Sequence, residues 1–207
     1  MSDTKTPKRG RPRQFDEEQA LDAITTLFWQ KGYSQTSVVD LVQASGIKKP
    51  SLYRVLGSKE EIFSRVLRRY LAARMSMFAT LIDNSGPGVD GIHTFLSLMR
   101  DDVLSGTSQN GCLLVESSAE LHGTTPGFTN FGSVYRSAVR EQMQVLAGKA
   151  GGTNRQIESR SQLLTTWFLG LDLTVRGGGD EEEIDNSIDA MHGVVEAWGE
   201  SPVAATA

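Results

Sequence analysis

From Phe15 to Phe63 the chain reads FDEEQALDAITTLFWQKGYSQTSVVDLVQASGIKKPSLYRVLGSKEEIF, and this stretch decides the fold. Its apolar residues recur at helical spacing, with Ala20, Ile24, Leu27 and Phe28 on one face and Val38, Leu41 and Val42 on a second. Asp16 is placed to cap the first helix, Glu17 and Glu18 complement its dipole, and Gly32 is placed to end it. The second helix opens at Thr36 or Ser37 and stops at Gly46, a residue able to take the left-handed backbone that reverses the chain. Ile47 follows as an apolar plug under the turn. A third, short helix from about Lys48 to Leu56 carries Pro50 in its first turn, where the missing N–H costs no helical hydrogen bond. Two short helices joined through Ser45-Gly46-Ile47 predict the unit that sets a recognition helix in the major groove of DNA.

Lys48, Lys49, Ser51, Tyr53 and Arg54 crowd donors onto that third helix, as contacts to phosphates and base edges require. On local charge alone, a solvated helix surface fits them equally well. Ser58 and Glu61 form a capping box that starts a long helix through Ile62, Val66, Leu67, Tyr70 and Leu71 toward Leu81. After Gly86-Pro87-Gly88, periodicity predicts helices over Asp90–Leu104, Cys112–Leu121, Thr129–Ala147, Gln156–Val175 and Glu181–Trp198. No segment alternates apolar and polar residues long enough to read as a strand, so the expected fold class is all-α.

The 207 residues are 39% hydrophobic and 22% charged, a balance that supports a buried core and excludes wholesale disorder. No run approaches the ~20 apolar residues of a membrane span, and MSDTKTPKRGRPRQ lacks the apolar stretch of a secretory signal, so the expected location is the cytoplasm. One cysteine, Cys112, permits neither an internal disulfide nor a cysteine-cluster metal site. The net charge of -4 is polarised: Met1 to Glu60 holds ten Lys+Arg against seven Asp+Glu, and the remainder eleven against eighteen. A basic front on an acidic body fits a protein with one nucleic-acid end.

The stretch from Phe15 to Phe63 resembles the DNA-binding domain of the TetR family of regulators. The marks are Phe28, the Lys31-Gly32-Tyr33 corner, Thr36-Ser37, Ser45-Gly46-Ile47, Ser51-Leu52-Tyr53 and Ser58-Lys59-Glu60 before an apolar pair. The resemblance implies that Thr36 and Ser37 offer donors to a phosphate at a helix amino end, that Tyr53 and Lys59 hold the DNA backbone, and that Lys48, Lys49 and Ser51 touch bases. Val55 and Leu56 stand where the family commonly has His or Tyr followed by Phe, which implies one phosphate contact fewer. KRGRPRQ looks like the family's basic arm, with Arg9, Arg11 and Arg13 suited to a minor groove, although a solubilising tail has the same composition.

The expected division is a flexible basic arm over 1–14, a helix-turn-helix domain over 15–60, a helical ligand-binding and dimerisation domain over 61–200, and a disordered tail over 201–207. Family members usually dimerise through their last two helices. Here these carry Leu163, Leu164, Trp167, Phe168, Leu171, Ile184, Ile188, Met191, Val195 and Trp198 at helical spacing, a stripe that intrachain core explains equally. Phe95, Met99, Cys112, Val115, Glu116, Phe128, Phe131 and Trp167 are candidate walls of an effector cavity, and the same residue types build ordinary core. An apolar neighbourhood would leave Cys112 an inert thiol rather than a sensor.

Enzyme signatures are lacking. The spacing Gly86, Gly88, Gly91 follows a helix rather than a strand and reads as a turn; His93, His122 and His192 are scattered; no serine sits in a nucleophile elbow. No cofactor or metal is expected. The expected partners are double-stranded operator DNA, an unidentified small-molecule effector and a second copy of the chain. The alternatives are an activator, or a DNA-binding protein without small-molecule control.

Overall fold

The computed structural model describes residues 16–105, 111–121 and 131–199. Arg9, Arg11, Arg13, Phe128, His122 and the tail over 201–207 lie outside the described residues. Within them the chain is helical without strands: α1 Glu17–Gln35, α2 Val38–Ser45, α3 Lys49–Val55, α4 Lys59–Asn84, α5 Gly88–Leu104, α6 Leu113–Leu121, α7 Phe131–Lys149, α8 Asn154–Arg176 and α9 Glu181–Gly199.

The helix ends follow local chemistry. Asp16 Oδ1 accepts from the Glu18 and Gln19 N–H groups at 3.0 and 3.2 Å. Ser37 with Asp40, Ser58 with Glu61 and Thr153 with Gln156 form reciprocal capping boxes. Gly46 closes α2 in the left-handed conformation, at φ 65 and ψ 9. Gly32 departs from expectation: at φ 75 and ψ 173 it breaks α1, but the helix resumes and runs to Gln35. The Gly86–Gly91 segment is more than a turn, since α5 begins at Gly88 and a Cβ on Gly91 would come within 2.2 Å of the Gly86 carbonyl oxygen. Those glycines serve a tight helix entry.

The core runs continuously from Ala20 to Val195. In the head, Leu21, Ile24 and Phe28 of α1 meet Leu41, Ile47, Leu52, Leu56, Ile62 and Phe63, with the Phe28 and Phe63 rings edge-on at 4.6 Å. Each such buried side chain stabilises the fold by roughly 1.5–3 kcal/mol. In the body, α7 packs on α8 and α5 on α9, while α6 touches α1, α4, α7 and α8. Most of the expected stripe on α8 and α9 is intrachain core: Leu164, Phe168, Leu171, Ile184, Ile188, Met191 and Val195 are buried, whereas Leu163 is exposed.

Candidate nucleic-acid interface

Leu52 and Leu56 anchor α3 to the head core, and Ile47 is buried under the turn before it. The opposite side of α3 is therefore left to solvent: Lys48, Lys49, Tyr53 and Arg54 are exposed and Ser51 is half-buried. Lys48 is the N-cap of α3 and makes no side-chain cap hydrogen bond. No carboxylate of a described residue pairs with Lys48, Lys49 or Arg54, so their charges and donors face outward. Val55 is partly exposed beside them and Leu56 is buried.

Ser37 is exposed at the amino end of α2, its Oγ accepting from the Asp40 N–H at 3.2 Å and donating to Asp40 Oδ2 at 2.7 Å. Lys31 reaches across from α1 to Asp40 at 2.9 Å, and this contact with the Ser37 hydrogen bonds holds the Asp40 carboxyl well below the usual range. Thr36 corrects the sequence expectation. It is 1% exposed and its hydroxyl donates to the Gly32 carbonyl at 2.7 Å, so it braces the corner and does not face a phosphate. The Lys59 ammonium lies 4.3 Å from the centroid of the Tyr33 ring at the start of α4. Burial lowers its pKa, and the Glu120 and Asp40 carboxylates oppose that shift. Arg69 bridges to Glu18 and Asp22 at 2.8 and 2.6 Å, and Arg65 pairs with Glu17, so α4 is stitched to α1.

Residues 20–66 match the signature of the bacterial regulatory proteins, tetR family. The chain is 52% identical over 63 residues to the transcriptional repressor ComR of Escherichia coli K12, a match spanning 30% of either chain. It is 28% identical over 179 residues to the repressor BdcR of the same organism, covering 84% of this chain and 86% of that one. Among solved structures, the TetR-family regulator CifR, as a cysteine mutant complexed with 26-base-pair operator DNA, superposes with a TM-score of 0.69 at 27% identity over 91% of this chain and all of its own. A TetR-family regulator from Streptomyces coelicolor shares the fold, with a TM-score of 0.78 at 14% identity over 88% of this chain and 95% of its own. Together these matches support a TetR-family transcription regulator. The chain is a transcription regulator and not an enzyme. No helix among the described residues is long and apolar enough to cross a membrane.

In this TetR-family regulator the expected effector walls divide. Phe95, Met99 and Cys112 are buried in the body core, while Val115, Glu116, Phe131 and Trp167 are half-buried around it. Trp167 turns its indole N–H to the Ser187 hydroxyl of α9 at 3.1 Å, and its neighbour Phe168 is the residue that meets Phe78 edge-on at 4.9 Å, with Phe95 beyond at 6.3 Å from Phe78. Glu116 pairs with Arg176 of α8. The groove lined by Ser133, Val134, Ser137, Ala138 and Glu141 lies along α7, apart from those walls.

Sequence reasoning missed the polar centre of the body. Arg74 of α4 pairs with Asp172 of α8 at 3.0 Å, with side chains 9% and 7% exposed, and the Tyr135 hydroxyl donates to the second Asp172 oxygen at 2.7 Å. The Arg74 guanidinium also sits 5.3 Å from the Phe78 ring. Cys112 borders this group, so its surroundings are not the uncharged ones expected from its apolar neighbours; burial, with Asp172, pushes its thiol up and keeps it protonated. The legible signal was Asp172 as the one charged residue in the run Leu163–Val175. The structure also brings His93 and His192 together, ring on ring at 4.9 Å with Nδ1 atoms 2.6 Å apart, although they are 99 positions apart in the chain. Among the described residues no group of three or more His, Cys, Asp or Glu is placed to hold a metal ion.

Proposed function

We propose that this regulator is a repressor that binds a palindromic operator as a homodimer and is released by a small-molecule effector. The observation that carries the DNA-binding part is the outward face of α3, where Lys48, Lys49, Tyr53 and Arg54 are exposed while Leu52 fixes the helix from behind. Tyr53, Lys59 and Ser37 take the phosphates; Lys48, Lys49 and Ser51 read base edges; and Arg9, Arg11 and Arg13 enter the flanking minor groove. The names of ComR and BdcR as repressors favour repression over activation.

Support for the dimer comes from the surface left over on the last two helices. Leu163, Thr166, Gly170 and Leu173 of α8 and Ala190, Gly193, Val194 and Ala197 of α9 are exposed at helical spacing, giving two small and apolar stripes without charge. Two such pairs of helices facing each other make a four-helix seam that holds two heads about one helical turn of DNA apart. Residues 61–200 then carry the effector and the seam, in the cytoplasm where the operator lies. An effector releases DNA only by binding the DNA-incompetent arrangement more tightly. Footprinting on the DNA flanking the regulator's own gene tests this. The expected result is a symmetric protected site whose occupancy falls with one class of small molecule. Protection that no compound relieves would leave a regulator without ligand control, and a transcriptional rise on binding would make it an activator.

A further inference from the structure

Glu120, near the end of α6, places one carboxylate on two successive backbone donors of the head. Its Oε2 accepts the Tyr33 N–H at 2.8 Å and its Oε1 the Ser34 N–H at 2.6 Å. Successive N–H groups turned toward one anion form a nest, which needs an unusual backbone just before it. Gly32 supplies that backbone at φ 75, and a Cβ there would stand 3.1 Å from Glu120 Oε2. The break in α1 is thus built around this carboxylate.

The nest leads directly into the DNA-facing corner. The Thr36 N–H donates to the Tyr33 carbonyl at 3.2 Å and the Thr36 hydroxyl to the Gly32 carbonyl at 2.7 Å, so the path from Gly32 to the N-cap Ser37 is fixed relative to Glu120. Lys59 rests on the Tyr33 ring within the field of the same carboxylate. Toward its start α6 is fastened to the body, where Glu116 pairs with Arg176 of α8, and the segment ahead of it is tied back to α1, where the Trp29 indole N–H donates to the Gly111 carbonyl at 3.0 Å. A shift of α6 therefore moves Glu120, and with it both Ser37 and Lys59.

We infer that Glu120 is a positioning residue that sets the head's two phosphate-facing groups, Ser37 and Lys59, in register with the body by clamping the Tyr33 and Ser34 N–H groups. Glu120 touches no DNA itself. The inference rests on the operator-binding reading given above, and its experiment separates the two.

The test uses the full chain and two duplexes of equal length: one selected from a randomised pool by the unaltered protein, the other scrambled. In Glu120→Ala the two N–H groups turn to water while the Phe28–Phe63 core is untouched, so helical content by circular dichroism stays the same. Affinity for the selected duplex should fall on the order of tenfold, as for a residue that couples two sites, while affinity for the scrambled duplex stays within about twofold. Glu120→Gln keeps an acceptor oxygen and should restore part of the selectivity; it decides the matter if the alanine variant folds poorly. Unchanged affinity for the selected duplex, or an equal loss on both duplexes, overturns the inference. Failure of the unaltered protein to select any duplex would overturn the operator-binding reading itself.

Discussion

In the head, Lys48, Lys49 and Arg54 stand on an exposed helix face with no described carboxylate opposite them, whereas in the body Arg74 is sunk to 9% exposure and bound to Asp172 at 3.0 Å. The same charge does different work in the two places. An exposed cation keeps its hydration and counterions, which it exchanges for a phosphate at little cost, so its contribution appears only with DNA present. A buried cation has lost its water and depends on a partner, so it specifies how α4, α7 and α8 meet and contributes nothing to DNA directly. Mutations in the two regions should accordingly separate stability from affinity.

The largest expected effect is in the body. Arg74→Met leaves the Asp172 carboxylate buried without its cation and should cost about 3–5 kcal/mol of stability in urea unfolding, whereas Arg74→Met combined with Asp172→Leu should recover most of it. A single variant that costs less than about 1 kcal/mol would erase the contrast with the surface cations. In the head the order reverses. Lys59→Ala should leave the unfolding midpoint within experimental scatter, weaken selected and scrambled duplexes alike, and reduce the salt slope of binding by about 0.9. Lys49→Ala should flatten base preference by about 1–3 kcal/mol at its position, read by competition among single-base variants of the site.

A smaller effect belongs to the seam between α5 and α9. The 2.6 Å contact between His93 Nδ1 and His192 Nδ1 requires one ring nitrogen to be an unprotonated acceptor. Burial, and then His93, lower the His192 pKa from its ordinary value near 6.5, with Asp189 and Glu196 opposing. A base whose folded pKa is lowered stabilises fully above the unfolded value and loses that stabilisation as pH falls from there through the lowered folded value. The urea midpoint should therefore drop as pH falls below the ordinary histidine value near 6.5, and His192→Gln should shallow that drop. An unaltered slope would remove the pair from the account. The smallest effect is expected from trimming the residues before Gln14, which should spare the fold and weaken operator binding most at low salt. Equal binding by full and trimmed proteins would make the arm a passive tail.

The head was nearly all legible because local rules write it. Asp16, Ser37, Gly46 and Ser58 act within three or four residues of where they stand, and a repeat of apolar positions tells which side of α3 stays outside. What the sequence hid there was the work of distant partners. Gly32 reads as a helix end until Glu120, 87 positions after the Tyr33 whose N–H it accepts, holds the next turn of the chain, and Thr36 reads as a phosphate donor until its hydroxyl turns inward to Gly32. In the body, helix positions follow from periodicity, but Arg74 with Asp172 and His93 with His192 are pairings across 98 and 99 positions that no local rule contains. The choice between Trp167 and Phe168 as the inward ring was likewise settled by packing, since adjacent residues on a helix differ by about 100° and either fits the repeat.

Selection from a randomised duplex pool by the full-length protein, followed by sequencing of the bound fraction, tests the central claim that exposed α3 reads DNA for a two-headed regulator. The account predicts an enriched palindrome whose half-sites lie about one helical turn apart, with Lys49→Ala losing preference at matching positions of both halves. Enrichment of no motif, or of a single half-site bound by one copy of the chain, would contradict it.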